Sequence, residues 1–272
     1  MIAARFGRAP GAEWVETAAG GAIAAMTQPH HPLYIVASPR PRVGKTLLAR
    51  LLIEFFYASD RALIGYDLNP REPALARRFP HLVWPVDITE TLGQMELFDR
   101  LIADNSRTQI VDLGYAPFEQ FFGVLNEIGF VPEARRRFIE PIVLFVTDPA
   151  PATVSIYAEL RHRLPGATFV PVHNELVSVM FEKEDFPATR SECSLIHIPR
   201  LSPIVRGVID RPSFSFATYM TSQPGGPTEV HQWIAQIFTA FRDLELREGA
   251  CMDRRRLRLD DQQGQGEGRD RR

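Results

Sequence analysis

The sequence contains very little lysine or cysteine and no long apolar run. Of its 31 basic residues only Lys45 and Lys183 are lysines, and all the others are arginines. The two cysteines, Cys193 and Cys251, form neither a CxxC pair nor a metal-binding spacing. No apolar run approaches the roughly 20 residues that a membrane-spanning helix needs. With no convincing signal peptide, these absences favour a protein of the reducing cytoplasm without a membrane span.

Several kinds of chemistry lack their usual sequence patterns. The seven histidines are spread along the chain with no HExxH pattern and no Cys/His spacing, so we expect no structural metal. No GxSxG pattern marks a serine nucleophile. The net charge of −2 argues against a generally basic nucleic-acid binder, although a local arginine patch stays open.

The ends of the chain differ from its middle. Residues 1–31 are rich in alanine and glycine without a helix or strand period, so we predict a flexible extension, with Met26 as an alternative start. Residues 249–272 offer almost nothing apolar to pack, which predicts a disordered charged tail. The folded domain is therefore expected within residues 32–248, and a hydrophobic content of 45% suits it.

The middle of the chain alternates short apolar runs with longer amphipathic ones, as in a parallel sheet with crossover helices. The predicted strands are 33–38, 62–66, 109–113, 141–147, 167–172 and 194–198. The predicted helices are 45–58, 90–103, 117–129, 151–163 and 228–247. We therefore predict an α/β protein with a doubly wound, mostly parallel sheet flanked by helices. Its ligands should bind at the carboxyl ends of the strands.

The segment 38–46, SPRPRVGKT, is the most informative motif. It lies between a predicted strand and a predicted helix, as a phosphate-binding loop requires, and it ends in Gly44, Lys45 and Thr46. Free backbone N–H groups and the helix dipole attract phosphate at such a helix start. Lys45 would reach the β- and γ-phosphates, and the Thr46 hydroxyl would bind Mg²⁺. The motif is incomplete, because Pro39 replaces the usual first glycine, five residues before Gly44.

Acidic and amide residues follow the other predicted strands. The second strand leads into Asp67 and Asn69, the third ends near Asp112, and the fifth is followed by Asn174. Because ligands bind at the carboxyl ends of parallel strands, these residues form a consistent set. An acid in this place can hold Mg²⁺ through water. Asp112 taken alone is also typical of a turn or a helix cap.

In their order and spacing these motifs resemble those of the ParA/MinD-like P-loop ATPases. Residues 40–46 take the place of the family's deviant loop, Lys-Gly-Gly-x-Gly-Lys-Thr, and residues 67–70 that of its Asp-x-Asp-Pro segment. Residues 110–112 resemble its acid-ending strand, 172–174 its adenine-reading asparagine, and 196–199 the next strand with its proline. The resemblance covers the whole predicted domain and implies the P-loop NTPase fold.

The resemblance also implies a function and a set of site residues. Two protomers would sandwich two ATP molecules with Mg²⁺, and hydrolysis would dissolve this nucleotide-dependent homodimer. Its partners would be a protein cargo or adaptor, or, as for some relatives, DNA or a membrane surface. The implied catalytic residues are Lys45, Asp67, Asn69 and Arg40. The implied nucleotide-binding residues are Arg42, Val43, Gly44, Lys45, Thr46, Leu47, Asn174 and Pro199. The implied metal ligands are Thr46 and Asp112.

Three departures from the family pattern affect the expected chemistry. Arg40 replaces the lysine that crosses the dimer interface, and it keeps the positive charge as an arginine finger would. Pro41 and Arg42 replace two glycines, so Pro41 offers no N–H to phosphate and Arg42 is expected to avoid a positive φ. Asn69 replaces an aspartate and cannot accept a proton. We therefore expect nucleotide binding with slow hydrolysis.

Three functions stay open from the sequence. The first is an ATP-driven dimerisation switch that positions or partitions a cargo. The second is a catalytically impaired scaffold of the same fold. The third is a P-loop kinase or ligase for a small molecule, in which the arginines of residues 135–137 would form a lid. That charge run fits an exposed helix edge equally well.

Three further features are interpreted as packing rather than chemistry. The phenylalanines within residues 118–122 have helical spacing, which predicts core or dimer-interface packing. The apolar stripe of the helix at 228–247 predicts docking against the sheet. His173 and His197 flank the expected base pocket and are interpreted as packed or capping residues.

Overall fold

The computed structural model describes residues 30–148, 150–176, 195–222 and 227–266, with side chains up to residue 247. The N-terminal extension that the sequence predicts lies outside this part of the chain, except for its last two residues. Of the predicted tail, residues 267–272 also lie outside it.

Seven strands within the described residues form one sheet, and every neighbouring pair runs parallel. They are β1 His31–Ala37, β2 Leu63–Asp67, β3 Val83–Pro85, β4 Thr108–Asp112, β5 Ile139–Val146, β6 Thr168–Asn174 and β7 Ile196–Ile198. Their order across the sheet is β3-β2-β4-β1-β5-β6-β7.

Helices cover both faces of the sheet. In the described part of the chain they are α1 Lys45–Ala58, α2 Ala74–Arg78, α3 Thr91–Ala103, α4 Phe118–Glu127, α5 Phe130–Arg136, α6 Pro151–Arg163, α7 Pro203–Ile209, α8 Phe216–Thr221 and α9 Glu229–Gly266. Helices α1, α8 and α9 build the core on one face, and α3 to α6 build it on the other. The side chains of β1 alternate between these two cores, as its period of two requires. The predicted doubly wound parallel α/β fold is therefore confirmed.

The elements that the sequence interpretation missed are short. β3 has only three residues and ends in proline, so it gives no strand pattern. The helix predicted for 117–129 ends at Glu127, because Gly129 adopts a left-handed φ of 62° and α5 starts directly behind it. The last helix is longer than predicted. α9 continues to Gly266 and so includes residues 249–266 of the predicted disordered tail, where arginine, leucine and glutamine favour a helix. The domain boundaries themselves stay predictions.

The two apolar clusters predicted from helical spacing both lie in the core. The three phenylalanines of α4 are buried on the face that α3 to α6 cover. The stripe of α9 is buried on the other face, against α1 and α8. Among the described helices, none combines the length and the apolar character that a membrane crossing demands.

Arg50 connects α1 to the segment that contains α7 and α8. The side chain is buried, and its Nε donates to Oε1 of Glu54 at 3.0 Å. Its terminal nitrogens donate to the backbone oxygens of Ile209 at 2.7 Å and Phe214 at 2.6 Å. Burial lowers the pKa of Arg50 to about 10, while Glu54 opposes this effect, so the guanidinium stays charged at neutral pH.

We expect Arg50→Lys to lower the free energy of unfolding by about 1–3 kcal/mol, because an ammonium group cannot make these divergent contacts at once. Urea denaturation measures the change. Arg61→Lys is the matched control, because Arg61 is 41% exposed and pairs with Glu245 at the surface. Arg61→Lys should lower the free energy of unfolding by less than about 0.5 kcal/mol. Equal losses in the two variants would contradict the assigned role of Arg50.

Candidate functional site

The carboxyl ends of four strands bring the predicted site residues to one edge of the sheet. Asp112, the last residue of β4, lies in register with Asp67 of β2 and with Val36 of β1. The loop after β1 leads into α1, and Asn174 ends β6. The site therefore lies where the order of the strands reverses around β1, the usual ligand position in a doubly wound sheet.

The loop between β1 and α1 contains two residues in the left-handed region. Gly44 directly precedes α1 with φ 92°, and Arg42 has φ 58°. The expectation that Arg42 avoids a positive φ is therefore wrong. An arginine in this conformation carries local strain, which the tight turn imposes. Gly44 also allows a close approach, since a Cβ there would lie 2.2 Å from Nδ2 of Asn174.

We expect Gly44→Ala to destabilise the protein by about 1–3 kcal/mol, because it adds a left-handed alanine and forces Asn174 away. Thermal or urea unfolding measures the loss. Gly123→Ala is the control, because a Cβ at Gly123 in α4 would meet no atom within 4 Å. That variant should be neutral or up to about 1 kcal/mol more stable. A neutral Gly44→Ala variant would contradict the described loop.

Lys45 folds back over the loop that precedes it. Its Nζ donates to the backbone oxygen of Arg40 at 2.6 Å, and the residue is buried. Burial lowers the pKa of Lys45 to about 8, and the charge of Asp112 opposes this effect. The amine therefore lies beside the backbone that would surround a bound anion. Anionic oxygens in this loop would raise its pKa again.

Thr46 and Asp112 meet below the start of α1. The Thr46 hydroxyl donates to Oδ2 of Asp112 at 2.7 Å. Asp112 is fully buried, and burial raises its pKa to about 7, against the smaller opposing effect of the Thr46 hydrogen bond. Its other oxygen, Oδ1, is buried and has no hydrogen-bond partner among the described residues. A buried carboxylate oxygen without a partner, next to a hydroxyl, fits the oxygen ligands that Mg²⁺ prefers.

Asp67 anchors the segment that follows β2. Its Oδ2 accepts the backbone N–H groups of Leu75 at 2.9 Å and Ala76 at 3.1 Å, in the first turn of α2. Its Oδ1 accepts the backbone N–H and the side-chain amide of Asn69, at 3.1 and 2.8 Å. The same amide approaches Oδ2 of Asp112 at 3.4 Å. Both carboxylate oxygens of Asp67 are thus engaged in holding backbone, and its catalytic role stays a prediction.

Arg40 lies at the surface and is paired within its own chain. Its Nε donates to Oδ2 of Asp148 at 2.8 Å, and its side chain is 54% exposed. Asp148 also accepts the Thr153 hydroxyl at 2.5 Å. Sequence reasoning did not assign Asp148 a role. The signal that would have identified Asp148 is its position two residues after β5, which lies next to β1 in the sheet.

Asn174 supports the loop from the side of β6. Its Nδ2 donates to the backbone oxygen of Val43 at 3.0 Å, and its Oδ1 accepts the N–H of Leu176 at 3.1 Å. Its side-chain amide is thus engaged at both ends, and base recognition by it stays a prediction. Pro199 accepts the indole N–H of Trp233 at 2.7 Å. Leu47 lies in the first turn of α1, and its side chain packs against the core, so its part in nucleotide binding stays a prediction.

His173 and His197 do not flank Asn174 on its own face of the sheet. Strand side chains alternate, and Val172, Ile196 and Ile198 belong to the core on the α1 side. The two histidines therefore project to the opposite face, where their ring centroids are 5.4 Å apart. Burial, with a smaller effect of His197, lowers the pKa of His173.

Comparison with known proteins identifies solved structures of similar fold, but no relative by sequence. No family model matches the chain, and a search of characterised proteins found no match. The MinD cell division protein of Aquifex aeolicus has a similar structure, with a TM-score of 0.50 and 15% identity over 79% of this chain and 97% of that one. The MinC:MinD complex of the same organism gives a TM-score of 0.51 and 15% identity over 79% and 96% of the two chains.

A third similar structure is a nucleotide-binding protein from Archaeoglobus fulgidus in complex with ADP. Its TM-score is 0.43, with 14% identity over 65% of this chain and 84% of that one. At such low identities, the likeness to the MinD structures shows a shared fold. The seven-stranded parallel sheet flanked by helices is thus the P-loop NTPase fold that the resemblance implied.

Proposed function

We propose that the protein binds ATP with Mg²⁺ in the loop between β1 and α1, and that this binding drives formation of a homodimer that slow hydrolysis dissolves. The observation that carries the proposal is the convergence of the Lys45 amine, the Thr46 hydroxyl and the Asp112 carboxylate at the start of α1. A P-loop needs these three groups in this arrangement. The fold shared with MinD supports the proposal.

Each of the three residues has a distinct part in binding. Lys45 would exchange the backbone oxygen of Arg40 for phosphate oxygens, which bind a cation more strongly than a neutral carbonyl does. Thr46 and Asp112 would hold Mg²⁺, Asp112 through its unpaired Oδ1 or through water. A bound Mg²⁺ would neutralise charge on the phosphates. The backbone N–H groups at the start of α1 would add fixed dipoles.

Hydrolysis should be slow, because neither residue in the place of the family's Asp-x-Asp pair is ready to take a proton from water. Asp67 is engaged with the backbone of α2 and with Asn69. Asn69 can orient a water molecule but cannot take its proton. Such a protein would keep its nucleotide-bound state for a long time, which suits a switch.

Dimerisation would use Arg40, which stands where the interface-crossing lysine of the ParA/MinD-like pattern stands. Its bond to Asp148 is an exposed ion pair of small expected strength, about 1 kcal/mol or less. A second protomer's phosphates would compete with it easily. MinD of Aquifex aeolicus forms a complex with MinC, and by analogy a protein cargo or adaptor is the partner class that we propose here.

A scaffold that binds nucleotide poorly is the second candidate. The strained φ of 58° at Arg42 and the proline at residue 41 favour it, because both alter the backbone that faces phosphate. Restoring the family residues with Arg40→Lys, Pro41→Gly, Arg42→Gly and Asn69→Asp should then create ATP hydrolysis that the natural chain lacks. The switch instead predicts measurable turnover before these changes.

Size-exclusion chromatography with light scattering tests the proposal on the full chain. The mass should double with ATP and Mg²⁺, and it should stay that of a monomer with ADP or without nucleotide. Release of phosphate in the same samples measures turnover. A mass that no nucleotide changes, with no ATP recovered from the protein peak, would overturn the switch and leave the scaffold.

A further inference from the structure

We propose that His173, Glu175 and His197 form a binding site for a divalent transition-metal ion of the Zn²⁺ type, on the face of the sheet opposite α1. The proposal does not depend on the proposed nucleotide function. The sequence interpretation expected no structural metal, because these residues follow no recognised spacing. The sheet brings them together, and no sequence pattern records that.

The register of two strands places the histidines side by side. His173 of β6 lies opposite His197 of β7, and the two strands run parallel. Neighbouring strands lie about 4.8 Å apart, so equivalent side chains leave the same face at that spacing. Glu175 follows His173 by two residues and returns to the same face. Three side chains with metal-binding atoms therefore project from one short stretch of the sheet edge.

The donor atoms converge closely enough to share one ion. One ligand atom from each residue lies within 4.8 Å of the other two. Nε2 of His197 and Oε1 of Glu175 are already 2.9 Å apart. Ligands of a tetrahedral zinc ion lie about 3.3 Å from one another, given Zn–N distances of about 2.0–2.1 Å. Side-chain rotations that move the ligand atoms by about an ångström would bring all three within reach of one ion without moving the strands.

The backbone around the cluster already orients the carboxylate. Oε2 of Glu175 accepts the N–H of Arg200 at 3.0 Å, and the N–H of Glu175 donates to the backbone oxygen of Ile198 at 3.0 Å. Metal-ligating carboxylates are commonly held by such outer hydrogen bonds. An isolated surface ion pair needs none of this support.

The chemistry of the three donors selects the class of ion. Two imidazoles and one carboxylate suit zinc and its neighbours in the first transition row, whereas Mg²⁺ and Ca²⁺ prefer oxygen ligands only. Glu175 and His197 are each 38% exposed at the side chain, so the ion can enter from solvent. Bound there, it would fasten β7, a three-residue strand at the edge of the sheet, to β6.

Zinc titration of the metal-free full chain tests the site. Calorimetry should give one Zn²⁺ per protein in the absence of nucleotide. At a hundredfold excess of free Zn²⁺ over Kd, the unfolding temperature should rise by about 5–10 °C. Cobalt(II) should give visible absorption bands of a four- or five-coordinate ion without a thiolate charge-transfer band in the near ultraviolet.

Two surface variants decide whether these residues are the ligands. Glu175→Gln and His197→Gln should each weaken Zn²⁺ binding by at least about 100-fold, which is the upper range for removing even a supporting residue. His81→Gln removes an exposed histidine outside the cluster and should bind like the natural protein. Lys45→Ala should also keep zinc, which separates this site from the phosphate loop. Circular dichroism confirms that each variant is folded.

Other outcomes would overturn the proposal. The absence of one-to-one Zn²⁺ binding would reduce the cluster to a His197–Glu175 ion pair. Binding that survives either Glu175→Gln or His197→Gln would place the ion elsewhere. A cobalt–thiolate band would assign the ion to a cysteine.

Discussion

Lys45→Ala should weaken binding of ATP and Mg²⁺ by at least about 100-fold. The amine is the buried cation of the loop, and its Nζ lies 2.6 Å from the loop backbone. A hydrogen bond to a charged group contributes about 1.5–3 kcal/mol, so losing two bonds to phosphate oxygens gives this factor. Calorimetric titration with a non-hydrolysable ATP analogue measures it.

Lys45→Arg sharpens this test in a protein that otherwise uses arginine. We expect this variant to bind as weakly as Lys45→Ala, since the planar guanidinium does not fit where the compact ammonium lies. Arg107→Ala is the control, because Arg107 pairs with Asp104 just before β4, at the amino-terminal ends of the strands and away from the phosphate loop. Its affinity for nucleotide should not change. Wild-type affinity in both Lys45 variants would contradict the assigned loop.

Asp112→Asn should make the nucleotide-free protein more stable while it removes the Mg²⁺ dependence of nucleotide binding. Burial raises the pKa of Asp112 to about 7, so the ionised carboxylate destabilises the fold at neutral pH. The distance from the ordinary value of 3.8 corresponds to a ceiling of about 4 kcal/mol. An amide keeps an acceptor for Thr46 and carries no charge, but it is a poor magnesium ligand.

The pH dependence gives the sign of this effect. Because the folded-state pKa is the higher one, the folded protein binds more protons than the unfolded chain between about pH 4 and pH 7. The contribution of Asp112 to the free energy of unfolding therefore falls as the pH rises through this window. Urea denaturation in EDTA from about pH 5 to pH 8 should show the variant's advantage growing with pH.

Asp104→Asn is the matched control with the opposite sign. Partial burial would raise the pKa of Asp104, but hydrogen bonds from Ser106 and Arg107 outweigh it and lower the pKa. This carboxylate thus stabilises the fold above its ordinary pKa, and the variant should be less stable at neutral pH. An Asp112→Asn variant that is less stable than the natural protein at about pH 8 would contradict a buried carboxylate whose Oδ1 has no hydrogen-bond partner.

Periodicity and loop chemistry predict most of the fold and the centre of the site. The apolar strands and amphipathic helices are long enough to carry their patterns, and Gly44, Lys45 and Thr46 lie at the turn where the pattern changes. β3 could not be predicted from the sequence, because three residues that end in proline show no alternating pattern. Asp112 was identified because an acid that ends a buried strand is unusual and is visible in sequence.

The remaining features of the site arise from contacts between distant segments. The left-handed φ of Arg42 is imposed by a tight turn. A glycine at this position would have indicated such a turn in the sequence, whereas an arginine does not. Asp67 is engaged by backbone N–H groups eight and nine residues later, and Asn174 by a carbonyl 131 residues earlier. The pairing of His173 with His197 follows from strand register across a long connection. Local patterns in one sequence do not encode such pairings.

A crystal structure of the full chain with a non-hydrolysable ATP analogue and Mg²⁺ is the most direct test of the central claim. We predict the triphosphate at the start of α1, with the Lys45 amine on its β- and γ-oxygens. The Thr46 hydroxyl should lie within about 2.1 Å of the metal, with Asp112 bound directly or through one water. A triphosphate bound elsewhere, or an unchanged Lys45–Arg40 contact at saturating nucleotide, would contradict the account.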